Sequence, residues 1–427
     1  MNLKDLLPSE LETFVHILGQ SPYRARQLVR WLYVRRVGSF AEMTDLSRAF
    51  RQLLEEVAVL PSLHLASPQE SLQDTTKFLF TLPDGNPIES VRMRYLEHLG
   101  PGRLAVCLSS QVGCAMGCEF CASGRLGLVR NLQTWEMVDQ ILAIQRLADQ
   151  RGERVANLLF MGIGEPLHNF RNLLRAICIL NHGDGLGVGM RHIAISTSGV
   201  VPAIRRLAEK RLPLKLAISL HATSDELRDR LMPVNRRWNL AELLAACREY
   251  QAATGRRITF EYVMLDGVND SLEEADRLVG LLGGLRSLVN LIPWNPVDHP
   301  SFRRSSKIRV RAFQDRVQQG GLRCTVRREK GSDIDAACGQ LRIREIRRYL
   351  GTPTRAEHMP AFSLNPPPGV RTEAIEAGLD ARKACIEEQS VVGNYVSTAE
   401  VRLTTQTGPP RRPNATVGGG FRFSAGG

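Results

Sequence analysis

The sequence predicts an α/β protein: a partial (β/α)6-type barrel of parallel strands, preceded by a small helical domain and followed by a disordered tail. Three observations carry this. From residue 104 short apolar runs alternate with amphipathic segments, the pattern of a parallel sheet with helices over its faces. The first 75 residues show helical periodicity and caps without a strand pattern. Beyond residue 351 the periodicity fades into turn-rich stretches such as Asn365-Pro-Pro-Pro-Gly369 and Gly418-Gly-Gly420. The expected organisation is therefore a helical domain over 1–75, a linking β-hairpin over 76–100, a barrel over 101–350 and a tail over 351–427.

Within the helical domain, Ser9 is placed to cap a helix from Glu10 to Leu18, Ser21-Pro22 opens Tyr23 to Val37, and Ser39 or Thr44 starts the next pair. The second helix sets Leu28, Trp31 and Leu32 on one stripe and Arg24, Arg26 and Arg30 elsewhere. That suits a core-anchored helix touching phosphate, or simply a solvated helix face. Next, Thr76 to Leu82 alternates, turns at Asp84-Gly85 and resumes from Ile88 to Tyr95, as a hairpin does.

The barrel strands are expected at Leu104–Ser109, Val155–Met161, His192–Thr197, Leu214–Leu220, Ile258–Leu265, Leu288–Ile292 and Leu322–Arg327. Helices are expected at Thr134–Gln150, Phe170–Asn181, Val201–Lys210, Leu240–Thr254, Leu272–Leu282 and Ile308–Gln319. Parallel barrels carry their chemistry at the carboxyl ends of the strands, so those ends are where functional residues belong.

Composition narrows the class. At 427 residues with 43% apolar content, the chain can bury a large core plus a smaller unit. Apolar runs such as Ala156 to Ile163 are strand-length, and the start Met1-Asn-Leu-Lys-Asp-Leu-Leu-Pro8 carries an acid where a signal peptide is basic then apolar; the reading is a cytoplasmic protein with no membrane partner. Nine cysteines in such a chain do not make a disulfide scaffold. The net charge of +12 is concentrated: Arg303 to Arg348 holds 14 Lys or Arg against 5 Asp or Glu, whereas residues 1–75 hold 8 against 9. A basic segment of this kind suits a polyanion held by its phosphates.

Cys114, Cys118 and Cys121 lie in Cys114-Ala-Met-Gly-Cys118-Glu-Phe-Cys121. Thiolates select iron–sulfur clusters, zinc or copper(I), and three cysteines on a four-iron cubane leave one iron open for a substrate or cofactor. The alternative is a structural zinc site, which closes with four ligands; the nearest downstream histidine, His168, is far outside a finger-like spacing. Cys178 and Cys247 sit in apolar helical runs and read as core residues, with Cys324 and Cys385 as bystanders.

The Cys-x3-Cys-x2-Cys spacing is the signature of radical S-adenosylmethionine enzymes, and the longer string Cys107-Leu-Ser-Ser-Gln-Val-Gly-Cys114 through Cys121, followed by Arg130-Asn-Leu132, resembles the RlmN/Cfr family of RNA adenine methyltransferases. The resemblance continues through Met161-Gly-Ile-Gly-Glu-Pro-Leu167, Ser196-Thr-Ser-Gly199, Ser219-Leu-His221, Leu291-Ile-Pro-Trp-Asn-Pro296 and Asp333-Ile-Asp-Ala-Ala-Cys338, spanning about residues 5–350 in order and stopping before the tail.

The resemblance implies a radical SAM barrel. In it Cys114, Cys118 and Cys121 hold a 4Fe-4S cluster whose open iron binds S-adenosyl-L-methionine, while Gly164, Glu165, Ser196, Ser219, Leu220, His221 and Asn295 line the cofactor pocket. It implies that Cys338 carries the methyl group as S-methylcysteine, and that Cys107 resolves the protein–RNA crosslink by forming a disulfide with it. It aligns Glu89 with the family's proton acceptor, where an exposed strand glutamate is the other reading. The implied partners are 23S rRNA, certain tRNAs and a reductant such as flavodoxin or ferredoxin, with the chain a monomer and residues 1–75 an accessory RNA-binding domain. RlmN-like C2 methylation of adenosine is favoured over Cfr-like C8 methylation. A non-catalytic, zinc-containing RNA-binding protein is the remaining alternative.

Overall fold

Strands form where β-branched and aliphatic runs can be covered on both faces, and the barrel runs of this chain are of that kind. The computed structural model describes residues 1–334, apart from 67, 73, 95–101, 125–126, 297–301 and 328–330; Cys338 and the stretch 351–427 lie outside the described residues. Ten strands follow one path through the main sheet: β1 (His64–Leu65), β3 (Thr75–Thr81), β4 (Pro87–Arg94), β5 (Arg103–Cys107), β8 (Arg154–Phe160), β9 (Ile193–Thr197), β10 (Lys215–Ser219), β11 (Ile258–Met264), β12 (Ser287–Pro293) and β13 (Cys324–Val326). A further strand, β2 (Gln69–Glu70), pairs with β3. Within the main sheet, every pairing from β5 onward is parallel. The β3–β4 hairpin joins antiparallel to β5, so it continues the barrel sheet. Separately, β6 (Gln111–Gly113) and β7 (Leu128–Asn131) make a small antiparallel pair that frames the cysteine segment.

All seven expected barrel strands are present, shifted by a residue or two at their ends. So are the six helices, here α4 (Thr134–Asp149), α5 (Phe170–Asn181), α6 (Val201–Glu209), α8 (Leu240–Thr254), α9 (Leu272–Leu281) and α10 (Lys307–Gln319). The sequence reading omits α7 (Asp225–Leu231), whose short polar run hides its helical phase, and the two-residue strands β1 and β2 before residue 75. Those two strands correct the expectation that the first 75 residues are purely helical. They pair with β3, and that pairing is a long-range effect which leaves no local periodicity. No helix among the described residues is long and apolar enough to cross a membrane.

At the N-terminus, α1 (Pro8–Ile17) starts two residues earlier than expected, with Pro8 at its first turn and the Glu10 carboxylate accepting from Leu7 N–H. Its Leu11, Phe14 and Val15 are fully buried. The second helix is α2 (Tyr23–Val29), which passes into a π-helical turn over Arg30–Arg35; Ser47 caps α3 (Arg48–Val57). This unit docks on α4 and α5 through buried charge. Lys4 Nζ lies 2.6 Å from Asp139 Oδ1 and donates to the Pro61 carbonyl, and Asp139 Oδ2 accepts from Leu63 N–H. Arg175 of α5 donates to Glu10 and to the Asp5 carbonyl, and Trp135 N–H at the start of α4 donates to the Asp5 carboxylate.

Both members of the Lys4–Asp139 pair are 1% exposed. Removing one partner strands the other charge in the interior, which costs far more than losing a surface pair. Asp139→Ala is expected to lower unfolding stability by about 3–5 kcal/mol in urea denaturation. Breaking the exposed Arg205–Glu249 pair with Arg205→Ala is expected to change it by less than about 1 kcal/mol.

Candidate active site

The cysteine segment is held by backbone groups of its surroundings. Gly113 closes β6 at φ +78°, and a Cβ there would overlap the Gly127 carbonyl, so the β6–β7 pair can close only on glycine. Cys114 N–H donates to that same Gly127 carbonyl at 2.9 Å, Glu119 N–H to Leu231 O, and the Trp294 indole N–H to Phe120 O at 3.1 Å. Phe120 meets His221 edge to face with centroids 4.8 Å apart.

Cys114, Cys118 and Cys121 line one cavity with Met161, Gly164, Glu165, Ser196, Ser219 and His221. A second cavity shares Phe120, Cys121, Met161, Ser196, Ser219 and His221 and extends to Glu261, Asn295 and Arg327. The motifs at the ends of β8, β9, β10 and β12 therefore meet at one end of the barrel, at the cysteines. Leu220 is different: its side chain is in the core, its N–H donates to Glu261 O and its carbonyl accepts from Arg228.

The donor set fits a cluster. Burial pushes the Cys114 thiol up to about 12 and Cys118 well above its ordinary value, and Glu165 adds to both effects. Thiolates form in such a place only against a compensating cation, which cluster irons supply. A single zinc ion draws its sulfurs to about 2.3 Å from one centre. Among the described residues no three His, Cys, Asp or Glu side chains are gathered for one ion, whereas a cubane takes each thiolate at a separate corner.

Around the thiols the walls are rigid. Gly164 sits at φ +109°, where a Cβ would come within 2.6 Å of Gln111 Cβ. Glu165, fully buried, accepts from Ser198 N–H at 2.7 Å, Ser198 Oγ at 2.8 Å and Leu167 N–H at 3.0 Å; burial raises its pKa and these bonds oppose the rise. His221 is held at φ +61°, with Nδ1 accepting from Val263 N–H at 3.0 Å. Burial depresses its pKa to about 3, so the ring is neutral, with its proton on Nε2. The backbone on either side is fixed by Asn269, whose amide donates to the carbonyls of His221 and Val263.

Cys107, at the end of β5, is buried in an apolar cluster of Val91, Met93, Ala105 and Ile163, against which Met161 and Ile334 pack. Met161 also lines both cavities, so this cluster abuts the thiol site. Cys338 lies outside the described residues, but Ile334 four positions before it reaches the Cys107 cluster, and Asp333 accepts from Ser71 Oγ at 2.6 Å. Glu89 is not the exposed strand residue that its alternative reading makes it. It is 1% exposed, and Lys77 Nζ lies 3.3 Å from its Oε1.

Several polar residues escaped the sequence reading. Arg228 is completely buried and donates to the carbonyls of Ser198, Ser219 and Leu220 and to Asn235 Oδ1. It sits on α7, an element without a readable phase, among Arg230, Arg236 and Arg237, from which composition cannot separate it. Glu261 had a signal: it is the one acid in Ile258-Thr-Phe-Glu-Tyr-Val-Met264. It pairs in register with Ser219 and Asn290, and Asn290 Nδ2 donates to its Oε2 at 2.8 Å.

An α/β barrel with three cysteines lining one cavity at its carboxyl end is the architecture of a radical SAM protein, and residues 108–279 match the Radical SAM superfamily model. Residues 1–60 match the model of the ribosomal RNA large subunit methyltransferase N-terminal domain. Among relatives, the chain is 49% identical over 345 residues to the "Probable dual-specificity RNA methyltransferase RlmN" of Desulforamulus reducens, covering 81% of this chain and 96% of that protein. It is 48% identical to the protein of the same description from Moorella thermoacetica, with coverages of 80% and 97%. The crystal structure of a radical SAM methyltransferase from Sphaerobacter thermophilus superposes with a TM-score of 0.76 at 45% identity, covering 80% of this chain and 98% of that one. The chain belongs to the RlmN family. Its cofactors are accordingly a 4Fe-4S cluster and S-adenosylmethionine.

Gly113→Ala is expected to open the β6–β7 frame. Iron and sulfide bound after anaerobic reconstitution should fall several-fold, while far-ultraviolet circular dichroism of the barrel persists.

Proposed function

We propose that this protein is a radical SAM RNA methyltransferase that places a methyl group on C2 of an adenosine in 23S rRNA, and of an adenosine in certain tRNAs. The observation that carries this reading is the continuity between the thiol cavity and the Cys107 cluster through Met161, with Ile334, four positions before Cys338, packed on the same cluster. Its relatives are described as dual-specificity RNA methyltransferases. The basic segment adds a suitable surface: α10 buries Val310, Phe313 and Val317, while Arg303, Lys307, Arg311 and Arg323 stay exposed to meet phosphates.

When bound, the cluster and S-adenosylmethionine supply a methyl group and a carbon-centred radical, with electrons from a reductant such as flavodoxin or ferredoxin. The roles of the chain follow. Cys114, Cys118 and Cys121 hold the cluster, and the backbone pins described above keep their loop fixed. Glu165, Ser196, Ser219, His221 and Asn295 orient the donor, with His221 offering its Nε2 proton as a hydrogen-bond donor. Cys338 carries the methyl carbon on its sulfur to the adenine. Glu89 accepts the proton that leaves C2. Cys107 then attacks the Cys338 sulfur: the carbon–sulfur bond breaks, the released carbon takes up a proton, and a Cys107–Cys338 disulfide remains for an external dithiol to reduce.

The test is mass spectrometry of nucleosides from rRNA and tRNA incubated with the reconstituted enzyme. 2-Methyladenosine is the expected product; exclusively 8-methyladenosine overturns the regiochemistry, and a colourless protein holding zinc without iron or sulfide overturns the enzyme reading. Cys338→Ala is expected to abolish methyl transfer from the cofactor to the protein. Cys107→Ala is expected to retain that transfer and to accumulate a covalent protein–RNA adduct, visible on denaturing gels.

A further inference from the structure

One face of the β3–β4 hairpin carries a buried ion pair, Lys77 with Glu89. On β3, Lys77 stands opposite Val91 of β4, and Val91 stands opposite Cys107 of β5, so Lys77 and Cys107 share one rung of the sheet. Glu89 occupies the next position on that face, opposite Leu79. The side chains of Lys77 and Glu89 are 7% and 1% exposed, with Nζ and Oε1 3.3 Å apart. Their neighbours on this face, Leu79, Val91 and Met93, are apolar. Two charges withdrawn from water in such a setting stabilise a fold no better than an apolar pair of similar volume. The Lys4–Asp139 pair, by contrast, docks one structural unit on another, with backbone partners for both side chains.

The position of Glu89 is fixed from the barrel side. Ser109 Oγ donates to the Glu89 carbonyl at 2.6 Å and accepts from Ile163 N–H at 3.1 Å, tying the strand to the loop that leads into Gly164 and Glu165. Among the described residues, Lys77 from β3 and Cys107 from β5 are titratable groups that share this face with Glu89. The β4 cations Arg92 and Arg94 alternate to the other face, where they meet Glu70, Asp74 and Glu153. The α4 acids Glu136 and Asp139 are engaged by Arg130 and Lys4.

We propose that Lys77 is the positioning residue for the proton-transfer step: its buried ammonium keeps the Glu89 carboxylate ionised and aimed across the rung that ends at Cys107. This rests on the reading above of Glu89 as the acceptor of the adenine C2 proton. An opposite charge at this distance favours the ionised carboxylate. Without it, a carboxyl group in an apolar face is held neutral to higher pH and cannot accept a proton near neutrality.

The experiment is a single turnover of reconstituted enzyme with RNA between pH 6 and 9, scoring resolved methylated RNA against covalent protein–RNA adduct in each reaction. Cluster content, melting temperature and methylation of Cys338 serve as controls for folding and for the first half-reaction. In Lys77→Met the melting temperature should fall, as for any buried pair that loses one partner, while at an assay temperature below it cluster content and methylation of Cys338 should match the wild type. The adduct should then accumulate at neutral pH, and the acid limb of its resolution should move up by about one to two pH units. Lys77→Arg should restore the wild-type profile, and Lys77→Gln takes the place of the methionine variant if that one does not fold. An unshifted profile in the uncharged variants, or an arginine variant shifted as far as they are, overturns the proposal. Glu89→Gln separates the two readings: if it resolves the adduct as the wild type does, Glu89 is not the acceptor and the underlying assignment fails, whatever Lys77 does.

Discussion

One buried guanidinium ties together the carboxyl ends of the central strands, and the site depends on that tie. Arg228 donates to carbonyls just past β9 and at the end of β10, places where a parallel sheet runs out of ladder partners and its acceptors face the interior. Burial lowers the Arg228 pKa to about 10, yet the group stays cationic at physiological pH, and its charge acts on the Cys118 thiol. It thereby organises Ser198, which in turn holds Glu165, and the Ser219 to His221 segment that walls both cavities. Gly199 allows this: a side chain there would press against the guanidinium and against Leu243.

Buried charge in this protein therefore serves distinct ends, and location tells them apart. Lys4 and Asp139 join the N-terminal helices to the barrel, each with its own backbone partners. Arg228 braces strand ends. Glu261 crosses the barrel interior in register between Ser219 and Asn290, its acidity lowered by burial and partly restored by Arg327 and Asn290. Lys77 and Glu89 share one face of the sheet with Cys107, beside apolar neighbours. Each arrangement incurs a desolvation cost, which the partner charges and the hydrogen bonds to backbone offset.

Much of the fold was readable from residues. Runs such as Ile193 to Thr197 and Ile258 to Met264 are apolar enough to be strands covered on both faces, and helices such as Phe170–Asn181 have strong phase. The cysteine triad was legible because ligand chemistry and spacing are local, and the strand-end motifs because parallel barrels gather such ends. Short polar elements were not legible: α7 has too few residues to show a period, and β1 and β2 exist only because β3 pairs with them.

By itself the sequence determined the alternation of strands and helices, the spacing of the three cysteines and the family to which both belong, because periodicity and motif spacing are written within a few residues of one another. Only the tertiary structure decided that Glu89 is buried against Lys77, that Arg228 and not a neighbouring arginine is the internal brace, and that Ile334 meets the Cys107 cluster. Those facts depend on strand register and on contacts between residues tens to hundreds of positions apart, where one step of slippage would turn each side chain to the other face.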